Sequence, residues 1–310
     1  MTLGTRLLLL ARTAAAAVGM LNAQSSAPRP EFEVASIRPN IEGGPVVFMG
    51  QKSPGTFSAQ NETLQNLIQE AYGVTSEQRN WLPFPVPFGQ AVQILGGPDW
   101  MGSDRYDITA KSNAVPVEGQ RTMHAMERLQ SEMDLMLRTL LEQRFGLKVH
   151  WETRDLPVYE LTLAKAGKLR QGSCTTFSPD SPLAASGPGR QSPNYCGSSR
   201  LRRKGLDWTL DGTAIKMTEL AGTLSNLIGN RPIMDKTGYA GTFDVHLQWT
   251  PGPGERGAPD VPASSFEQDP YNVPASIFTA LWEQLGLKLK AGRGPVEVLI
   301  VDHAEKPSAN

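Results

Sequence analysis

Apolar residues recurring every three or four positions predict four helices, and these fall into two matched pairs. In the first half, Thr63-Leu-Gln-Asn-Leu-Ile-Gln-Glu-Ala-Tyr-Gly-Val74 puts Leu64, Leu67, Ile68 and Ala71 on one helical face. In the second half, Met217-Thr-Glu-Leu-Ala-Gly-Thr-Leu-Ser-Asn-Leu-Ile228 repeats that face with Met217, Leu220, Ala221, Leu224 and Leu227. Each helix precedes a glycine-rich turn and a strand of alternating apolar and polar residues built on an aromatic-Asp pair, Arg105-Tyr-Asp-Ile-Thr-Ala110 and Thr242-Phe-Asp-Val-His-Leu-Gln-Trp249. A second helix follows in each half, Met133 to Phe145 and Ile277 to Leu285.

Both of these second helices stop at the same kind of junction, Phe145-Gly-Leu-Lys-Val149 and Leu285-Gly-Leu-Lys-Leu289, where glycine can adopt the left-handed conformation that closes a helix. A hairpin is expected after each: Leu147 to Glu152 with Pro157 to Ala164, and Leu287 to Lys290 with Pro295 to Val301. An additional strand, Phe32 to Arg38, is ended by Pro39. The expected fold is therefore α+β: a helix-strand-helix-hairpin unit, duplicated, with antiparallel or mixed sheets and helices packed on one face. The units are expected over residues 28–170 and 206–310, separated by a Ser/Pro/Gly-rich loop at 171–205, with a flexible loop at 251–274 inside the second.

The N-terminus changes the picture by assigning a compartment. A basic stretch with Arg6 and Arg12 leads into the apolar run Thr13 to Leu21 and then into small and polar residues, the order of a secretory signal peptide spanning residues 1–27. Cleavage after Ala23 or after Ala27 fits a small-x-small rule. The run is shorter than the roughly 20 apolar residues that cross a bilayer, so the expectation is a soluble, exported chain, periplasmic or extracellular, with no membrane span after cleavage. With 30 Lys and Arg against 31 Asp and Glu, the net charge of −1 provides no global field for nucleic acid, and partners must be recognised locally.

Export also gives meaning to the two cysteines, Cys174 and Cys196. An isolated pair in an oxidising compartment is expected to form a disulfide, here stapling a segment too rich in Ser, Pro and Gly to order itself by burial.

Several motifs together resemble a known family. They are Phe32-Glu-Val-Ala-Ser-Ile-Arg-Pro-Asn40, Gly96-Gly-Pro-Asp-Trp100, Arg144-Phe-Gly-Leu-Lys-Val-His150, Asp235-Lys-Thr-Gly238 with Gly241-Thr-Phe-Asp244, and Val301-Asp-His-Ala-Glu-Lys-Pro-Ser-Ala-Asn310. These are similar in content and order to a large exported family of soil-associated, typically acidobacterial proteins defined only as a domain of unknown function. The resemblance covers essentially the whole chain after the signal. Some relatives look fused behind membrane metallopeptidase sensors, which implies an extracytoplasmic sensing or binding module. The insertion at 80–91, and Tyr239 and Thr242, depart from the family's usual pattern.

Candidate chemistry is sparse. Imidazole chemistry rests on His124, His150, His246 and His303; Asp302 precedes His303 and Asp244 lies two residues before His246, so each carboxylate could orient a ring. His150, His246, His303, Asp244 and Asp302 are the catalytic candidates. No metal site is expected, because HExxH, HxH and spaced Cys/His signatures are missing. No cofactor is expected either, because nucleotide-binding glycine patterns are missing. The paired Asp104 and Asp107 are expected to cap and brace loops rather than to act as a glycosidase couple. The basic run Arg200-Leu-Arg-Arg-Lys204 reads as a solvated loop edge. Trp81, Phe84 and Phe88, held by prolines, and Trp100 are the binding candidates.

The leading expectation is a non-enzymatic, sensor-like binding or interaction module whose partner is an extracytoplasmic protein, peptide or small ligand. The alternative is an extracytoplasmic hydrolase using histidine acid-base or metal chemistry. Thiol titration of the denatured, non-reduced chain is expected to find no free thiol; two free thiols would refute the staple.

Overall fold

The computed structural model describes residues 29–41, 43–44, 49–53, 55–73, 92–112, 122–172, 174–176, 195–228, 231–252 and 275–307. The expected signal segment, Trp81, Phe84, Phe88 and nearly all of the 251–274 loop lie outside the described residues.

Two runs of elements follow one another in the same order. The first is β2 (Met49–Ser53), β3 (Thr56–Thr63), α1 (Leu64–Tyr72), β4 (Gln93–Gly96), β5 (Arg105–Lys111), α2 (Met123–Phe145) and β6 (Lys148–Leu163). The second is β7 (Ser198–Lys204), β8 (Asp207–Lys216), α3 (Met217–Ile228), β9 (Ile233–Asp235), β10 (Thr242–Trp249), α4 (Ile277–Ala280, extended by a wider turn over Leu281–Leu285) and β11 (Leu287–His303). Strand β1 (Val34–Pro39) precedes both. The sheets are β1-β5-β3-β2, β10-β8-β7 and β4-β11-β6-β9. This is the expected α+β class with antiparallel and mixed sheets.

Local chemistry explains the helix boundaries. The side chains of Thr63, Thr122 and Ser276 accept hydrogen bonds from the N–H groups of Asn66, Ala125 and Thr279, satisfying donors that a helix start leaves unpaired. Glu219 performs the reciprocal task for α3, accepting from the Lys216 N–H at 2.9 Å. Gly146 (φ 57°) and Gly286 (φ 68°) close their helices in the left-handed region, as the matched junctions predicted. Helix α2 begins ten residues earlier than its apolar periodicity suggested, at Met123 instead of Met133. Thr122 sets that start, which a hydrophobic pattern cannot reveal.

The hairpins are a correction. Neither forms: β6 and β11 each run unbroken through the expected turn and pair with each other, antiparallel, from Leu287 opposite Leu163 to Val301 opposite Val149. Their alternation was legible, but a partner strand about 140 residues away was not. Pro157 and Pro295 allow this because each sits beside a stretch of strand edge that lies outside the β9 and β4 pairings.

The consequence is a reciprocal exchange between the halves. One core gathers β1, β3, β5, α1 and α2 around Phe57, Leu67, Ile108, Leu141 and Phe145, and is completed by Leu299 and Val301 from β11. The other gathers β8, β10, α3 and α4 around Leu210, Leu224, Phe243 and Leu281, and is completed by Leu161 from β6. Strand β4 of the first run pairs parallel with β11, and β9 of the second pairs parallel with β6. Each half lends the end of its long strand to the other.

The aromatic-Asp strands perform the same structural task in both halves. Asp107 Oδ1 accepts from the Asn61 N–H at 2.8 Å, and Asp244 Oδ1 accepts from the Ala214 N–H at 2.9 Å. Asn61 (φ 56°) and Ala214 (φ 47°) are the non-glycine residues with left-handed backbone among those described. Each lies at a register shift three residues before its helix. An L-residue held there is strained by about 1–2 kcal/mol, and the carboxylate holds the bulge that turns strand into helix. Gly172 fits against Asp244 because a Cβ there would overlap the carboxylate.

This device predicts that Asp244→Ala costs about 1–3 kcal/mol in urea unfolding, from a backbone donor left without its acceptor. Asp244→Asn, which keeps an acceptor oxygen, should lose less. Equal losses would show that the hydrogen bond is not what braces the turn.

Candidate functional site

The histidine candidates occupy two places. His150 on β6 lies opposite Ile300, and its Nδ1 is 2.8 Å from Asp302 Oδ2. His303 is at the end of β11, with Nε2 2.8 Å from Glu305 Oε1. His246 is on β10, with Nδ1 2.7 Å from Asp211 Oδ1 on the neighbouring strand β8.

Each ring thus has a carboxylate, but Asp302 and Asp244 do not orient the histidines that sequence proximity suggested. Asp302 turns to His150, and Asp244 is engaged by the Ala214 N–H. A side chain on the neighbouring strand, directly across the ladder for His246 and diagonally placed for His150, outcompetes the sequence neighbour. These pairs are exposed: the side chains of His150 and Asp302 keep 53% and 47% of their surface, and His246 keeps 66%. Among the described residues no group of three or more His, Cys, Asp and Glu is placed to hold a metal ion.

Trp100 is part of the frame. It packs partly buried on the first core, and Lys306 lies 5.7 Å from its ring while pairing with Asp104 at 2.7 Å. The C-terminal motif is thereby fastened to the Gly96-Gly-Pro-Asp-Trp100 turn, helped by the Glu305 N–H donating to the Phe145 carbonyl at 2.6 Å. The Cys174–Cys196 disulfide is formed, closing a separation of 22 residues beside strand β7.

Strand β7 was not foreseen. The run Arg200-Leu-Arg-Arg-Lys204, expected as a loop edge, is a regular strand that pairs with β8 from Ser198 opposite Thr213 to Lys204 opposite Asp207 without a register shift. The overlooked signal is Gly205 (φ 63°), the first residue of a two-residue hairpin turn between Lys204 and Asp207.

In the sheet order β10-β8-β7, the outer edge of β7 has no strand beside it among the described residues. Arg200, Arg202 and Lys204 share one face by alternation, all exposed. Arg202 pairs with Asp211, the carboxylate that also holds His246. On the opposite face, Leu201 packs against the second core. The Arg203 guanidinium lies 5.8 Å from the Trp208 ring, which stacks on Trp249 at 6.3 Å. The Trp208 Nε1 is buried without a hydrogen-bond partner among the described residues. The site is a cationic strand edge backed by aromatics and linked through Arg202 to the Asp211–His246 pair.

A duplicated α+β domain with exchanged long strands defines the class of this protein. The chain belongs to the family described as "Protein of unknown function (DUF3738)", which matches it over residues 65–304. No curated protein and no solved structure matches the chain. Among the described residues no helix is long and apolar enough to cross a membrane.

Burial pushes the Glu219 carboxyl above its usual range, against the opposing pull of the Lys216 N–H and ammonium. A raised folded pKa means that folding favours the protonated acid. Its stabilising contribution is therefore complete below the unfolded value, near 4.5, and is lost as pH rises through the folded value. Glu219→Gln should flatten that part of a stability-against-pH profile measured by urea unfolding, and an unchanged slope would show that Glu219 is not responsible.

Proposed function

We propose that the chain is a non-enzymatic, exported binding module of the sensor-like kind, taking an extracytoplasmic partner at a sheet edge. The observation that carries this reading is β7: a regular seven-residue strand, cationic and with an open outer edge among the described residues. An open edge offers a row of main-chain donors and acceptors that another chain can pair with. Support for export comes from the order of the first 27 residues and from the disulfide, a bond that persists in oxidising compartments. The histidine-carboxylate pairs favour the hydrolase alternative less, being exposed and served by one carboxylate each.

The test uses the chain beginning at residue 28, immobilised and exposed to an extracytoplasmic extract of its source cells. Capture of a partner is expected to survive the combined replacement of His150, His246 and His303 by alanine and to be lost in Arg202→Glu/Lys204→Glu. Capture lost with the histidines, or stoichiometric zinc in the purified protein, would overturn this reading in favour of the hydrolase.

A further inference from the structure

From the β7 edge we infer the partner's chemistry: an extended, acidic polypeptide segment that adds to the β10-β8-β7 sheet as a fourth strand, with acidic side chains at alternate positions and apolar ones between. This rests on the binding reading above and gives it a recognition rule.

The other edges are poorer templates. Strand β1 ends in Pro39, β2 is five residues long with a register shift, and β4 and β9 have four and three residues. The open stretches of β6 and β11 run into Pro157 and Pro295, which cannot donate to a ladder. The outer side of β10 meets an isolated bridge between Asp244 and Arg170. Strand β7 has neither proline nor bulge, and its seven residues hold strict register on β8.

Charge then selects the occupant. Arg200, Arg202 and Lys204 project on one face of this strand opposite Asp211, Thr209 and Asp207 of β8, so that three cations meet two carboxylates there. Asp211 serves both Arg202 and His246, and Asp207 accepts from the Thr250 hydroxyl at 2.5 Å. An added strand would set its own side chains beside Arg200, Arg202 and Lys204 at every second residue, where opposite charges across a ladder attract and like charges repel. On the reverse face the added strand would meet Leu201 and Arg203, the latter beside the Trp208 ring, so the intervening residues are apolar. Basic side chains on an edge also discourage indiscriminate pairing between sheets. The same charges that reject a second copy of this edge admit an acidic segment.

The probe is a labelled peptide alternating Glu and Val over the length of β7, titrated by fluorescence anisotropy, with amide hydrogen exchange read along β7. Saturable binding is expected, with slowed exchange at the β7 amides that do not bond to β8. A peptide of the same composition with its Glu residues grouped should bind about tenfold more weakly. Methylating alternate peptide nitrogens, on whichever set faces the protein, should abolish binding while leaving the charge intact. Arg202→Glu/Lys204→Glu should lose the Glu-Val peptide and gain the corresponding Lys-Val peptide, an exchange of preference that an unfolded variant cannot produce.

Equal binding of both methylated peptides, or equal competition by anionic vesicles or polyglutamate, would overturn strand addition in favour of a purely electrostatic surface. No peptide binding while partner capture persists would overturn this inference and leave the binding-module reading standing. Loss of both would overturn both.

Discussion

The pairing of β6 with β11 is the constraint on which the rest of the structure depends. It joins the middle of the chain to the last described strand in one long antiparallel ladder, and its two ends enter different hydrophobic cores. Leu161 is buried among second-half residues, and Leu299 and Val301 among first-half ones. Burying such a side chain fully is worth about 1.5–3 kcal/mol, so neither core is complete without the other half's strand. The parallel additions of β4 and β9 then extend the same ladder at its two ends. The three-stranded sheet that bears β7 is positioned through the second core and so depends on this ladder as well.

Repetition is what made much of this legible in the sequence. The faces of α1 and α3, the glycine junctions at Gly146 and Gly286 and the strands carrying Tyr106-Asp107 and Phe243-Asp244 are local signals, each fixed by residues within a turn or two of one another. Asp107 was readable as a brace because a short carboxylate beside a turn competes well for backbone donors. The long strands were misread as hairpins because alternation identifies a strand without naming its partner, and a proline in mid-run is a turn signal as well as an edge signal.

The site was less legible for a related reason. His150 and His246 are held by Asp302 and Asp211, contacts created by strand register rather than by sequence spacing. Strand β7 lacks β-branched residues altogether: its Ser, Arg and Lys content reads as a loop, and its conformation comes from the ladder with β8. Only the Gly205 turn announced it. Comparing the halves adds information that a single unit could not provide. The carboxylate brace recurs in both and is structural, whereas the basic strand belongs to one half alone, since its first-half counterpart β2 reads Met49-Gly-Gln-Lys-Ser53.

Strand exchange also sets the order in which the molecule can come into being. The residues that close the first core lie in β11, which is made after every other described element. A nascent chain emerging N-terminus first therefore carries an unfinished first half, with α1 and α2 lacking the strand that seals them, until the final ladder is laid down. Closure of both halves becomes a single late event, and a chain truncated shortly before Leu287 loses its beginning as well as its end.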